Sequence, residues 1–269
     1  MRASRLILIF IVSMIVKCGI PDAPPDPVNP YDPNNPDYEP ASVTIVSGPS
    51  DGETTHSSDV TFSWTGNETA EDFSYRLDNN SWSNWSANTS VTYEYLDEKT
   101  YLFEIIARAG NQDQTIGDTT SLEFTVDAVE GPALMIYPRY ETLSVGNTTT
   151  LEIIAEEVDS LMGVEVELLY DPTIIHIDNI MSGPFLTANG GLLISFKDIN
   201  AGNQKISIVL VRASSTEPTV SGTGTVAVLE LTGLSAGVTV IEINTSIFKD
   251  QDNNEIDITQ RVNGIIVVE

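Results

Sequence analysis

From Val43 onward, no stretch of this chain sustains a 3.6-residue hydrophobic repeat. Short runs of alternating apolar and polar residues are cut instead by Gly, Asn, Asp and Pro. Period-two alternation with turn residues at close intervals is the pattern of antiparallel sheets packed into sandwiches, so the sequence predicts an all-β protein. The same observation excludes helical bundles and α/β folds. The 269 residues are enough for two such units, and a hydrophobic content of 41% supplies a core for each.

Two blocks of strands, joined by Val129–Pro132 (VEGP), predict β-sandwiches in tandem over residues 42–128 and 133–269. In the first, VTFSWTG (60–66) places Phe62 and Trp64 on one face. FSYRLDNNSW (73–82) reads as a hairpin turning at Asp78–Asn80, and TYLFEIIARAGNQ (100–112) as a long strand. The SGPSDG opening, FSW at 62–64, YRLDNNSWSNW (75–85) and YLFEIIARAGNQD (101–113) resemble bacterial Ig-like or fibronectin-III-like modules. That resemblance implies a sandwich and says almost nothing about function. Trp82 and Trp85 have two readings: a platform for sugar rings, or side chains folded back onto the sandwich, as this stretch does in such modules.

At the other end of the chain, Arg2 and Arg5 precede an apolar run, Leu6–Val16. The run is short for a bilayer span and has signal-peptide proportions. Cys18, the one cysteine, follows at once, and a single cysteine excludes an intrachain disulfide. Residues 1–18 resemble a bacterial lipoprotein signal. The resemblance implies a lipid on Cys18, a membrane anchor, and display outside the cell as a cell-surface or outer-membrane lipoprotein. Lys17 stands where that signal carries a small residue, and the other reading is plain secretion or retention of the segment as an anchor. Residues 19–41 repeat proline every few positions with Asp and Asn between, which predicts a semi-rigid linker.

In the second block, SLMGVEVELLYDP (160–172) alternates cleanly. Val164, Val166, Leu168 and Tyr170 take one face; Glu165, Glu167 and Leu169 take the other. The Gly146-Asn147 turn, Tyr170-Asp171-Pro172, Ser182-Gly183-Pro184, Ser221-Gly222-Thr223-Gly224 and Asn263-Gly264 fall in an order and spacing that closely resemble a cohesin across residues 133–269. Leu231 departs from the pattern, standing where an aromatic is usual. The resemblance implies a nine-stranded jelly-roll sandwich. It also implies that a helical, dockerin-like protein module binds one sheet face, built from the third, fifth, sixth and eighth strands. Carried onto this chain, that face presents Glu165, Glu167 and Leu169 from the third strand. The fifth gives Leu193, Ser195 and Lys197, with Leu192, Ile194 and Phe196 in the core. The sixth gives Ser207, Val209 and Val211, with Ile206, Ile208 and Leu210 in the core. A plain solvent face is poorer in Val and Leu than this one. The other reading buries the fifth and sixth strands on both faces. Carboxylates in the third-strand row are expected to meet Lys or Arg of the partner. Reversing both Glu165 and Glu167 to lysine should then weaken capture by roughly 1–3 kcal/mol and leave folding intact.

Charge and residue inventory narrow the function. Twelve Lys plus Arg against 39 Asp plus Glu give a net charge of −27, which argues against nucleic acid as a partner. The two histidines, His56 and His176, lie in different blocks, no G-x-S-x-G elbow is present, and the inventory holds no Cys/His metal spacing. Asp250-Gln251-Asp252-Asn253-Asn254 starts like a calcium loop, but Glu255 and Arg261 stand where an EF-hand needs Gly and Glu, so it reads as a polar turn. No catalysis, no metal and no cofactor are expected. The function read here is a non-catalytic, surface-anchored, cohesin-like protein that captures dockerin-bearing partners for polysaccharide degradation. The alternative is a carbohydrate-binding or adhesive surface protein on the same sandwich, with a polysaccharide as ligand. The second block has few aromatics and no tryptophan, which favours the protein partner.

Overall fold

The computed structural model describes residues 38–110, 115–214 and 216–269. Cys18, the apolar run before it and the linker as far as residue 37 lie outside the described residues.

The first sandwich contains β1 (Val43–Ser47), β2 (Glu53–Thr55), β3 (Val60–Gly66), β4 (Ala70–Leu77), β5 (Ser90–Tyr93), β6 (Thr100–Ala109) and β7 (Thr120–Val126). A three-stranded sheet ordered β1-β3-β5 covers a four-stranded sheet ordered β2-β7-β6-β4. Alternation decides which side chains fill the space between them. β3 buries Val60, Phe62 and Trp64, and β6 buries Tyr101, Phe103, Ile105, Ala107 and Ala109. Phe62 stacks on Phe103 across the two sheets, with ring centroids 4.0 Å apart. After the turn at Asp78, residues 81–86 return along β4 without forming a regular strand. Phe73 and Ser86 exchange backbone hydrogen bonds of 2.8 and 3.0 Å, and the Ser83 N–H donates to the Tyr75 carbonyl at 2.9 Å. This return lays Trp82 beneath the Arg76 guanidinium, 4.6 Å from the ring centroid, and Trp85 beneath that of Arg108, at 4.8 Å. Both indoles are therefore held on the sandwich by cation–π stacking.

The second sandwich contains β8 (Ala133–Tyr137), β9 (Tyr140–Leu143), β10 (Thr148–Leu161), β11 (Gly163–Leu169), β12 (Ile175–Ser182), β13 (Leu192–Asn200), β14 (Lys205–Ala213), β15 (Val220–Gly233), β16 (Gly237–Lys249), β17 (Glu255–Ile256), β18 (Gln260–Val262) and β19 (Gly264–Val268). The nine expected strands correspond to β8, β10 to β16 and β19; β9, β17 and β18 are short additions. One sheet runs β12-β15-β10-β8-β18, the other β13-β14-β11-β16-β19-β9, with β17 paired to β16. Leu151 and Ile153 of β10 and Leu229 and Leu231 of β15 pack against Val164, Val166 and Leu168 of β11 and Ile206, Ile208 and Leu210 of β14. All are nearly or wholly buried, and each contributes about 1.5–3 kcal/mol by leaving water. This core is separate from that of the first sandwich.

The fifth strand reverses its expected facing. Leu192, Ile194 and Phe196 are 73%, 65% and 62% exposed, so they are outward residues and not core. In the antiparallel pair, Leu193, Ser195, Lys197 and Ile199 of β13 stand opposite Arg212, Leu210, Ile208 and Ile206, the inward set of β14. Directly paired residues share a face, so Leu193 and Lys197 point inward and do not belong to the outer surface. The physical reason lies at the sheet edge. β13 is the terminal strand, and the space behind it is plugged by Leu186, fully buried, from the 3₁₀ turn Phe185–Gly190. Leu193 packs against that core, and the Lys197 ammonium donates to the Ile180 carbonyl on the opposite sheet at 3.2 Å. Ser195 stays exposed at the rim, on the inward phase.

Candidate functional site

Four adjacent strands, β13-β14-β11-β16, present one outer face whose rows follow from the registers. The first row reads Ile194, Val211, Gly163, Lys249; the second Phe196, Val209, Glu165, Ile247; the third Asp198, Ser207, Glu167, Thr245. Of the residues expected on this face, Glu165, Glu167, Ser207, Val209 and Val211 are brought together in these rows, and Leu169 follows at the end of β11 beside Lys205. Leu193, Ser195 and Lys197 are replaced there by Leu192, Ile194 and Phe196. Neither β13 nor β14 is buried on both sides: the three outward apolar residues of β13 meet water, and Ser207, Val209 and Val211 of β14 are half-buried.

The rows are not uniform. On β13 and β14, Ile194, Phe196, Val209 and Val211 form an apolar block. Gly163 next to it carries no side chain, and a cavity of about 260 Å³ opens there, walled by Val209, Val211, Ile247 and Lys249. A Cβ on Gly163 would meet nothing closer than Lys249 Cβ at 3.6 Å, so the dent is vacant space and not a packing necessity. β16 reaches this face through a register shift near Asn244, which lets it bury Ile241 and Ile243 before the shift and Ser246 and Phe248 after it. Ile247 and Lys249 are thereby turned outward, a consequence of a bulge that no alternation pattern reveals.

Polar groups flank the block. The Glu167 carboxylate accepts from the Lys205 ammonium and, at 2.6 Å, from the Asn244 amide. These bonds, that from Lys205 first, hold Glu167 below the usual carboxylate range. Glu167 is thus tied within its own sheet, whereas Glu165 stands exposed in the apolar row. Asp250 closes one end of the dent. Its carboxylate accepts from the Asn254 side chain at 2.9 Å and from the Asp252 and Asn254 amides at 2.9 and 2.8 Å, which lowers its pKa. The carboxylate is already engaged in a turn, and among the described residues no group of three or more His, Cys, Asp or Glu is arranged to hold a metal. The histidines are apart: His56 Nδ1 pairs with the Asp127 carbonyl at 2.7 Å, and His176 Nδ1 with Asp178 at 2.9 Å.

Arg212 was not legible as a site residue, yet it sets the end of this face. It is fully buried; Nη1 donates to the Leu186 and Ala188 carbonyls and Nε to the Glu217 carbonyl, all at 2.8 Å. The signal was its phase, since it continues the inward set Ile206, Ile208, Leu210.

No known family model and no curated relative matches the chain. Its structural neighbours are cohesin domains. A non-cellulosomal cohesin from the hyperthermophilic archaeon Archaeoglobus fulgidus is 14% identical, with 51% of this chain and 90% of that one covered and a TM-score of 0.42. A type II cohesin domain from the cellulosome of Acetivibrio cellulolyticus is 17% identical, with 50% and 95% covered and a TM-score of 0.42. The OlpA cohesin–Doc918 complex of Clostridium thermocellum, a type I cohesin–dockerin complex, is 13% identical, with 51% and 98% covered and a TM-score of 0.43.

Proposed function

We propose that the outer face of β13-β14-β11-β16 captures a helical, dockerin-like protein module, and that the chain is a non-catalytic recruiting protein of the cell surface acting in polysaccharide degradation. The observation that carries this reading is the solvent-facing block of Ile194, Phe196, Val209 and Val211 beside the Gly163 dent. A flat sheet with a few aliphatic anchors and a polar rim suits the side of a helix, which buries the anchors and leaves the rim to set orientation. The strand motifs that resemble a cohesin name the kind of helix pair. Phe196 is the one aromatic ring in the three rows, and a lone ring set among aliphatic side chains is a poor stacking platform for a sugar, so the protein partner is preferred over the glycan.

Calorimetric titration with dockerin modules from the same genome tests the reading. Glu165→Lys is the clean charge probe, because Glu167 already serves Lys205 and Asn244. It is expected to weaken capture by about 1 kcal/mol, through a slower association that salt suppresses. Binding to a glycan array without binding to any dockerin would transfer the face to the carbohydrate reading. Surface tethering is tested apart: fatty-acid label is expected on the wild type and absent from Cys18→Ser, and equal labelling of both rejects the anchor.

A further inference from the structure

The two sandwiches are joined by six residues, 127–132, and more than the chain holds the joint. Val129 is 1% exposed and packs with Ala133 and Met135 in a small apolar cluster bordered by Tyr137, Ile154 and Val262, apart from both main cores. Residues 95–99 of the first sandwich reach over this cluster. The Arg139 backbone N–H donates to Asp97 Oδ1 at 2.8 Å, and Arg139 Nη1 reaches the Leu96 carbonyl at 3.5 Å. The Val129 N–H donates to the Glu98 carboxylate. The Tyr95 ring stacks on that of Tyr140, with centroids 6.0 Å apart and planes 9° from parallel. A passive tether needs none of these; together they are the anatomy of a small interface, with an apolar centre, an aromatic pair and charge-assisted bonds to backbone amides.

The interface is crowded with acid. Glu98 and Glu156 line one cleft with Met135, Tyr137, Ile154 and Thr223. Asp97 is faced by Arg139, Lys99 and Glu141; Glu98 by Asp127 and Arg139; Glu156 by Glu98, Glu157 and Asp127. His56 touches the same segment through the Asp127 carbonyl. Burial is the largest cause that lifts Asp97, Glu98 and Glu156 above the usual carboxylate range, and like charges add to it.

We infer that residues 95–99 form a docking site that holds the two sandwiches as one body, and that its close carboxylates make the joint tighter in mild acid than at neutral pH. The sign follows from linkage. A carboxyl whose value is raised on docking favours the docked state fully below its undocked value, near 4.3 for Glu, and the advantage is lost as pH climbs through the raised value. Protonation weakens the bond to Val129 without removing it, because a neutral carboxyl keeps an oxygen that accepts; the Val129 and Ala128 amides favour the charged form, and the burial of Glu98 outweighs them. Docking fixes the direction in which the apolar sheet face points relative to the first sandwich.

Residual dipolar couplings on the full chain test the joint. One alignment tensor is expected to fit both sandwiches of the wild type. Tyr95→Ala with Asp97→Ala, and separately Tyr140→Ala from the other side, are expected to split it into two tensors of unequal size while amide shifts inside each core are kept. Two tensors in the wild type, or one tensor surviving both sets of variants, overturns the docking. The charge is read from exchange of the Val129 amide, corrected for intrinsic pH dependence. The wild type is expected to be several-fold better protected at pH 5 than at pH 7.5. Glu98→Gln, which keeps an acceptor and removes the charge, is expected to flatten that difference. A wild type that loosens in acid, or a Glu98→Gln response equal to wild type, overturns the acid dependence.

Discussion

Serine at both Ile194 and Phe196 is expected to weaken capture of a helical partner by at least about 100-fold, or ~3 kcal/mol, without loss of stability. Both side chains are nearly two-thirds exposed in the free protein, so folding gains little from them and their removal costs the fold little. On docking they leave water together with Val209 and Val211, and an aromatic anchor next to a dent is the arrangement that concentrates binding energy in few residues. Two further variants separate this block from surface hydrophobicity in general. Gly163→Leu fills the dent from below, where a Cβ has room, and should weaken capture by blocking it. Val238→Ser alters a residue 59% exposed on β16, outside the three rows, and should change nothing. Isothermal titration with thermal unfolding in parallel measures both quantities. If the Ile194/Phe196 variant binds as the wild type does, or if Val238→Ser is the one that fails, the interface is elsewhere.

The contrast between β11 and β13 shows what the sequence could reveal about this face. In β11 the two phases differ in kind: Val164, Val166 and Leu168 against Glu165 and Glu167. Only one facing buries apolar side chains, and the structure adopts it. In β13 both phases carry aliphatics, Leu192 and Ile194 against Leu193 and Ile199, and the more hydrophobic one is turned to water. That outcome is decided by non-local facts. The strand is at the edge, Leu186 from a turn outside the strand occupies the core behind it, and pairing with β14 fixes the register. An inward lysine on an edge strand also discourages wrong pairing. In the first sandwich the buried Phe62 and Trp64 were legible from alternation. The stacking of Arg76 and Arg108 on Trp82 and Trp85 joins residues 6 and 23 positions apart in sequence, and depends on an irregular return that propensities do not describe.

Arg212 carries the second large expectation. Alanine there should cost about 3–5 kcal/mol, from carbonyls left without their donor together with the space that a large buried side chain vacates. A guanidinium removed from water is tolerable only when its protons are satisfied. Here three carbonyls do that work, from Leu186 and Ala188 in the turn and Glu217 in the β14–β15 connection, while Nη2 has no partner among the described residues. The side chain is therefore a clamp between two connections, which otherwise meet through the Asn189 amide and the Glu217 carboxylate at 2.9 Å, and Gly191 lies so close that a Cβ would fall 2.0 Å from Nη1. Alanine strands three acceptors, that of Leu186 buried and those of Ala188 and Glu217 partly so, and empties the space that Gly191 leaves. Lysine restores one charge but not a planar fork, so it should recover less than half of the loss. Urea unfolding gives the total, and a variant within about 1 kcal/mol of wild type would sink the clamp. Amide exchange locates it: β13 should lose more protection than β15, because the turn behind β13 is released first. Released from its plug, β13 no longer holds Ile194 and Phe196 in fixed rows, so capture should fall in Arg212→Ala even where the sandwich stays folded. Capture at wild-type strength by a folded Arg212→Ala would show that the face orders without its clamp.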